Sequence, residues 1–329
     1  MRNYWLVAAG LTFVAVGANA QATSCPGGVP NATTAPANAK QQAADVFQYV
    51  APQLAQAVAG GSATLGQNST LGGIGHISVG LHGTAVAGAV PDVSKFPQCY
   101  TGAYSATLPT SNTVIPMAGA DAAIGVFGGL PLALTNVGGV DLLLSAQYVP
   151  ARTASGVTVA TPDGSLQIGY GARLGLLSES ILVPGLSVSY IKRDLPRTNL
   201  SANTNNDSLF VTGLKVKTSS WRVTASKSLI LFNLAAGVGQ DKFDSQVDSV
   251  RASVGAPAIA RASGSLGTQT QALTRTNYFA NVSFNMLLAK ITAEVGQSTG
   301  GTVTTFNKFD GSQPAGARTY GSVGVRFGL

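Results

Sequence analysis

Residues 165–176 read SLQIGYGARLGL, and their alternation decides the fold. Apolar side chains occupy every second position from Leu166 to Leu176, and mostly small or polar residues lie between them. Because successive side chains of a β-strand point to opposite faces, one face of this segment is apolar and the other is not. A segment of about 10 residues with this pattern is typical of the wall of a transmembrane β-barrel, which separates lipid from a lumen.

The same alternation recurs along the chain and predicts about ten strands. From the third strand onward the connections alternate between long and short, as in bacterial barrels with long outer loops and short periplasmic turns. Both chain ends are then expected on the periplasmic side. Because residues 207–227 could hold two strands, twelve or fourteen strands are the alternatives. The predicted strands span residues 74–89, 120–130, 137–149, 164–177, 184–194, 207–227, 229–240, 271–286, 287–299 and 316–328.

The composition excludes several protein classes. Only 10% of the 329 residues are charged and the mean hydropathy is +0.24, which argues against intrinsic disorder. The net charge of +7 contains no basic run, which argues against nucleic acid as a partner. A secreted β-sandwich is the alternative fold, since its strands alternate equally well. Sparse charge and small polar faces favour an all-β fold of the antiparallel transmembrane β-barrel type.

The N-terminus has the features of an export signal. Arg2 precedes an apolar run from Leu6 to Val16, which is too short to span a membrane as a helix. Ala18-Asn19-Ala20 is a cleavage site of the A-x-A type, so we expect cleavage after Ala20 and location in the bacterial outer membrane. The expected segments are a signal peptide at 1–20, a lead-in with an amphipathic helix at 21–73, and a transmembrane β-barrel at 74–329.

Residues 39–59 have helical rather than strand spacing. Asn38 is a candidate N-cap, Gly60-Gly61 is the expected stop, and Pro52 is expected to kink the helix or end its first half. Such a helix has two interpretations: a hatch packed in the barrel lumen, or a helix on the periplasmic membrane surface. Its polar face is weakly basic, which favours the hatch. The predicted lumen-packing face includes Val46, Phe47, Val50 and Leu54.

The chain contains two cysteines, Cys25 and Cys99, and both follow the predicted signal peptide. Export places them in an oxidising compartment, where a disulfide is expected if geometry permits. The connection after the first strand is expected to be extracellular, so this bond would bring the N-terminus up through the lumen. Two thiols and two distant histidines lack the spacing of a metal site, and no cofactor is expected.

Several polar residues fall on the strand faces that the alternation turns inward. Arginines at these positions are expected to pair with carboxylates such as Asp141 and Glu294, or with the hatch. His76 and Ser78 also share a strand face, an arrangement that resembles outer-membrane lipid hydrolases. Nothing in the sequence places an orienting carboxylate beside His76, so we expect no enzyme. The candidate lumen residues are His76, Ser78, His82, Asp141, Gln147, Arg173 and Asn281.

Short motifs resemble an uncharacterised family of outer-membrane barrel proteins, distantly similar to the long-chain fatty-acid outer-membrane transporters. They are Ala51-Pro52, Gly60-Gly61, Val90-Pro91-Asp92, Leu108-Pro109-Thr110, the strand end from Ala146 to Pro150 and the hairpin 166–190. The resemblance implies a barrel with an N-terminal hatch and passage of hydrophobic molecules. No motif carries over a ligand residue.

The sequence therefore predicts a passive outer-membrane channel or transporter for small hydrophobic molecules. The alternative is a structural or adhesive barrel with a closed lumen. Outer-membrane lipid and the barrel-assembly machinery are the other expected partners. The segment from Val323 to Leu329 resembles the C-terminal strand that this machinery reads, although it lacks the usual terminal aromatic residue.

Overall fold

The computed structural model describes residues 24–62, 69–132, 134–154, 157–203, 207–256, 259–286, 289–311 and 313–328. The expected signal peptide lies outside these residues, so its cleavage stays a prediction, as do the segment boundaries. Within the described residues no helix has the length and hydropathy needed to cross a membrane.

Ten long strands form a closed antiparallel barrel, which confirms the predicted fold class. Each strand pairs with the next one along the chain, and β10 pairs with β1 to close the sheet. The strands are β1 (Ile77–Pro91), β2 (Thr110–Phe127), β3 (Gly139–Tyr148), β4 (Leu166–Leu177), β5 (Gly185–Asp194), β6 (Ser208–Ser228), β7 (Phe232–Val247), β8 (Gln269–Asn285), β9 (Lys290–Ser298) and β10 (Arg318–Gly328).

The connections define two ends of the barrel. We call the end with the longer connections the loop end and the opposite end the turn end. The loop end carries residues 92–109, 149–165, 195–207, 248–268 and 299–317, and the turn end carries 128–138, 178–184, 229–231 and 286–289. Long loops on one side only are typical of the extracellular side of an outer-membrane barrel.

The segment 207–227 is one strand, not two. Its first residues pair with the loop strand Ser249–Ala256, and its remainder pairs with β5 and β7. Gly213 lies at this change of partner with a φ of 68°, which few residues other than glycine adopt. An added Cβ there would meet the carboxylate of Asp248. The strand therefore bends at a glycine and does not break into two.

Two other predictions placed too few residues of the loop end in β-strands. β2 begins at Thr110 rather than at residue 120, because β1 pairs with it along its whole length. The predicted loop 241–270 contains the end of β7 and a hairpin of two further strands. Short strands at this end span Arg152–Ala154, Val157–Ala160, Thr198–Asn203, Ser249–Ala256 and Ile259–Leu266, and they extend the sheet from β6.

The outer surface of the barrel is an apolar belt between two sets of aromatic rings. Exposed leucine, isoleucine and valine side chains occupy the alternate positions that the sequence pattern turned outward. Interfacial aromatic rings of this kind border the lipid-facing band of membrane barrels. The rings nearer the loop end are Tyr148, Tyr170, Tyr190, Trp221 and Tyr278, and those at the turn end are Phe127, Phe232, Phe284 and Phe327.

The helix α1 (Ala37–Ala59) lies inside the barrel, as the hatch interpretation predicts. It contacts β1, β2 and β5–β8, and even Asp45 and the glutamines Gln42, Gln53 and Gln56 are buried. The predicted N-cap is wrong: Pro36 occupies that position, and the amide of Asn38 instead donates to the carbonyl of Pro97 at 3.0 Å. Because the side chain of Asn38 bonds the 92–109 loop, it does not cap the helix.

Pro52 does not end the first half of the helix, since α1 continues to Ala59. A kink at Pro52, the other expectation, stays a prediction. Proline lacks the N–H that would bond the carbonyl of Gln48, four residues earlier. The barrel wall supplies the missing donor, because Nε2 of Gln271 in β8 donates to that carbonyl at 2.7 Å. The neighbouring amide of Gln53 pairs with both backbone groups of Ala89, at 2.8 and 2.9 Å.

A disulfide joins Cys25 to Cys99 at the loop end, with 5.7 Å between the Cα atoms. The chain therefore enters the barrel from the loop end, runs through the lumen as α1, and reaches the turn end before Ile77 starts β1. This corrects the expectation that both chain ends lie on one side. Ser24 lies at the loop end, and Gly328 ends β10 at the turn end.

We predict that the double substitution Cys25→Ser, Cys99→Ser lowers the stability of the plugged barrel. The bond closes a separation of 74 residues, for which the chain-entropy model gives about 4 kcal/mol. The guanidinium midpoint of the folded protein in detergent micelles should fall, and the same fall should follow reduction of the unsubstituted protein. An unchanged midpoint in both would mean that α1 stays docked without its tether.

Candidate functional site

The C-terminus of α1 ends in the lumen against two arginines of the barrel wall. Arg222 on β6 donates through Nη2 to the carbonyl of Ala59 at 2.9 Å. Arg193 on β5 donates through Nη1 to the carbonyl of Gly61 at 3.0 Å and to that of Ala59 at 3.4 Å. The last carbonyls of a helix lack intrahelical donors and carry partial negative charge. The last turn of α1 contains no basic residue of its own, so the wall provides both cations.

Buried carboxylates balance these arginines. Glu294 on β9 lies 3.2 Å from Nη1 of Arg222, and Asp121 on β2 lies 3.4 Å from Nη2 of Arg193. Asp121 also lies 2.9 Å from Nδ1 of His82. Buried charges are tolerated when they are paired and hydrogen-bonded in this way. We call Arg193, Arg222, Asp121 and Glu294 the central clamp.

The chain leaves the helix through a space that admits only small residues. Gly61 has a φ of 74°, and a Cβ added to it would lie 2.7 Å from Oγ of Ser322. The hydroxyl of Thr84 donates to the carbonyl of Gly60 at 3.3 Å and lies 2.8 Å from Oγ of Ser322. The predicted glycine stop is thus confirmed, and close packing against β1 and β10 is its physical reason.

Above the central clamp, toward the loop end, the lumen is filled by apolar side chains. Phe47 of α1 belongs to a buried cluster with wall residues such as Phe243 and Leu273, and Leu54 packs against this cluster. Val46 and Val50, the other predicted members of the face, are half-buried. The lumen at this level is therefore packed as a protein core and not as an aqueous pore.

Below the clamp, toward the turn end, the predicted lumen residues make polar contacts. Arg173 donates through Nε to Asp141 at 3.0 Å, the pairing that the sequence favours. The backbone N–H of Leu71 donates to the same carboxylate at 3.1 Å. This contact ties the segment between α1 and β1 to the inner wall. Gln147 lies instead on the loop-end side of Asp121, where it is buried and donates to Oγ of Ser145 at 3.2 Å.

The remaining candidates divide between the lumen and the rim. Asn281 faces the lumen and donates to Glu294 at 3.4 Å. Ser78 is buried beside Arg326, whose Nη1 lies 3.2 Å from its hydroxyl, and it donates to the carbonyl of Phe327. His76 is exposed, with Nδ1 3.3 Å from the carbonyl of Gly73. These contacts do not join His76 to Ser78. Whether any candidate contacts a solute stays a prediction.

Sequence reasoning missed Arg222 as a partner of the helix and Asp121 as a partner of Arg193. Both occupy positions that alternation turns inward, and that signal was available. Which residues they pair with could not be predicted from the alternation, because pairing depends on how far neighbouring strands are shifted against each other. Asp45 was not among the predicted site residues, although its carboxylate bonds a loop.

Asp45 joins α1 to the connection between β9 and β10. Its carboxylate accepts the backbone N–H of Phe306 at 2.9 Å and that of Asn307 at 2.8 Å. The side-chain amide of Asn307 donates to it at 2.7 Å. These three hydrogen bonds therefore attach the 299–317 loop to the helix.

A second contact ties other loops together outside the membrane span. Asp248 bonds Arg197 and lies 3.7 Å from Nζ of Lys215. The hydrogen bond from Arg197 holds the pKa of the Asp248 carboxyl below its ordinary value. The ionised Asp248 carboxylate therefore stabilises the fold at pH values above the ordinary aspartate pKa, and this stabilisation is lost as the pH falls through the lowered pKa.

An apolar cleft opens at the loop end between α1 and the loops. Its volume is about 480 Å³ with open solvent included. Its polar rim includes Gln42, Gln98 and Asp207. Its apolar walls are formed by Ala39, Ala43, Val93, Phe96, Ala202, Leu209, Ala252 and Val254.

The sequence matches no family model and no curated protein. Solved structures with weak similarity are outer-membrane β-barrels. Ail of Yersinia pestis, in complex with the heparin analogue sucrose octasulfate, is 9% identical with a TM-score of 0.27, over 77% of this chain and 99% of Ail. The Escherichia coli protease OmpT is 10% identical with a TM-score of 0.28, over 77% of this chain and 96% of OmpT.

The toluene transporter TodX of Pseudomonas putida is 10% identical with a TM-score of 0.25, over 81% of this chain and 96% of TodX. Identity and TM-score at this level support no inference about ligand or activity. The barrel assignment rests on the strand pairing and on the apolar outer face of this chain.

We predict that Arg222→Met destabilises the plugged barrel by roughly 3–5 kcal/mol, because it leaves Glu294 buried without its cation. Guanidinium unfolding measures this loss, and planar-bilayer recordings should show channel openings that the unsubstituted protein lacks. Adding Glu294→Gln should restore part of the stability. A stable, silent Arg222→Met protein would show that other contacts hold the end of α1.

We predict that Asp45→Asn costs about 2 kcal/mol, since it replaces a charged acceptor of three hydrogen bonds. Hydrogen exchange at the amides of Phe306 and Asn307 should become faster. Asp310→Asn is the matched control, because Asp310 ties the same loop to Thr110 instead of to α1. Equal acceleration in both variants would contradict a specific role for Asp45.

Proposed function

We propose that this protein is a gated outer-membrane barrel that takes up small apolar molecules passively. The observation that carries the proposal is the apolar cleft at the loop end, which α1 itself lines through Ala39 and Ala43. A largely apolar concave site with a few polar groups at its rim suits a small hydrophobic ligand. Such a ligand would be received from outside and would meet the plug directly.

The plug makes this a gate and not an open pore. The apolar cluster around Phe47, the central clamp and the Cys25–Cys99 tether all hold α1 in the lumen. Passage would then require displacement of the helix or of the loops that cover it. The family resemblance of the sequence implies the same class of solute.

A structural or adhesive barrel is the alternative, and a specific observation favours it. The loop end carries a sheet of short strands that extends from β6, and Asp45 and Asp248 hold loops together there. An ordered loop surface on a packed barrel would suit attachment to another surface. No catalytic function is proposed, because Ser78 and His76 bond other groups.

We predict that the full-length protein binds the apolar fluorophore N-phenyl-1-naphthylamine in its cleft. Leu209→Asp should weaken binding roughly tenfold or more, since it puts a carboxylate on an apolar wall. Val29→Asp is the matched control, because Val29 is exposed at the loop end outside the cleft. Fluorescence titration in micelles measures both.

Uptake is tested with the same pair of variants. Cells that express the protein should accumulate radiolabelled naphthalene faster than cells without it, and Leu209→Asp should abolish the difference. Probe binding without any effect on uptake would favour a binding or adhesive barrel. Equal binding by both variants would contradict the cleft as the entry site.

A further inference from the structure

Charge on the outer wall is confined to one sector of the barrel. At the outward positions of β1–β4 and β8–β10, the described residues include no charged side chain. Four lysines and two aspartates, Asp194 and Asp244, instead lie on the outward positions of β5–β7 near the loop end. We call Lys192, Lys215, Lys217 and Lys242 the lysine sector.

The register places this sector just beyond the aromatic rings. Tyr190 pairs with Trp221 across β5 and β6, and both rings are exposed. One alternation further along the strands, about 7 Å nearer the loop end, Lys192 pairs with Ser219, which in turn pairs with Lys242. Tyrosine and tryptophan rings occupy the headgroup level of a bilayer. Lys192 and Lys242 therefore lie where lipid headgroups meet water, and Lys217 and Lys215 lie one and two alternations further toward the loop end.

Two lysines of the sector have no carboxylate partner within salt-bridge distance. Lys242 lies 3.4 Å from Asp244, and Lys215 lies 3.7 Å from Asp248. Lys192 and Lys217 are exposed and form no salt bridge within the residues that the structure describes, but the register places Asp194 and Asp244 on either side of Lys217. The four lysines outnumber these two carboxylates, so the sector keeps a positive charge toward an external anion.

A hollow in the outer wall adjoins these side chains. Its volume between β6, β7 and β8 is about 680 Å³ with open solvent included, and its charged lining residues are Lys215, Lys217 and Asp244. Thr270 and Gln246 contribute uncharged polar groups. An anionic group could enter this hollow from the side while its acyl chains stay against the apolar belt below.

We propose that the lysine sector binds the phosphate groups of a phosphorylated lipid in the membrane leaflet at the loop end. Lysine holds its apolar stem against a surface while its ammonium reaches the headgroup layer, and it is attracted to anionic lipid there. The position above the aromatic rings selects a lipid over a soluble anion, since the acyl chains contribute binding area. This surface lies outside the lumen, so the inference does not depend on what crosses the barrel.

The test measures lipid A retained by the full-length protein in micelles, with native mass spectrometry as the readout. We expect diphosphorylated lipid A to bind and its dephosphorylated form to bind at least tenfold more weakly. The variant Lys192→Gln, Lys217→Gln should lose at least tenfold in affinity for the diphosphorylated form. Equal binding of the two lipid forms would overturn the proposal.

A charge-matched control separates the sector from general electrostatics. The variant Lys95→Gln, Lys308→Gln removes the same charge from the loop end at exposed positions outside the sector, and it should bind as the unsubstituted protein does. Equal weakening in both double variants would overturn the proposal. Displacement of lipid A by an equal concentration of inorganic phosphate would assign the surface to a free anion and would also overturn it.

Folding is checked by circular dichroism and by heat-dependent electrophoretic mobility. The conservative variant Lys192→Arg, Lys217→Arg keeps both charges, so it should retain binding within about threefold. Loss of binding in this variant, with the barrel folded, would contradict charge recognition of phosphate.

Discussion

The capture of a helix C-terminus by two arginines is the contact on which the interior of this barrel depends. Arg193 and Arg222 come from neighbouring strands and converge on the last carbonyls of α1. Without them the negative end of a helix dipole would be buried without donors. Asp121 and Glu294 then neutralise the arginines, so one helix end accounts for a whole layer of buried charge.

Either side of this layer the lumen has a different character. Toward the loop end, Phe47 and its neighbours form an apolar core of the kind found in a soluble domain. Toward the turn end, Asp141 and Arg173 bond the chain as it leaves the helix. In the first region α1 packs against the wall through apolar side chains, so the proposed passage of a solute would involve movement of α1 or of the loops.

The threading of the chain gives the plug two fixed ends. The Cys25–Cys99 bond holds the start of the plug at the loop end, and the central clamp holds the end of α1. Between them, Gln271 and Gln53 bond backbone groups that Pro52 or the end of β1 would leave unpaired. Strand edges and helix carbonyls in the lumen are thus satisfied by amide side chains from the facing element.

The residues by themselves determined which face of each strand meets lipid. A period of two is a local property, so segments such as 165–176 predicted inward and outward positions without any knowledge of neighbours. The hatch helix and its glycine stop were local signals too. The pairing of Arg173 with Asp141 was also within reach, because consecutive strands place these inward residues side by side.

The tertiary structure decided what those inward residues contact. The strand shift set Arg222 beside Glu294 and beside the end of the helix, and no one-dimensional pattern encodes that shift. It also overruled two local rules. The side chain of Asn38 bonds the 92–109 loop instead of capping the helix. The helix continues through Pro52, and Gln271, far away in the chain, supplies the hydrogen-bond donor that proline lacks. Local propensity predicts elements, but a closed wall around a helix changes which hydrogen bonds are available to it.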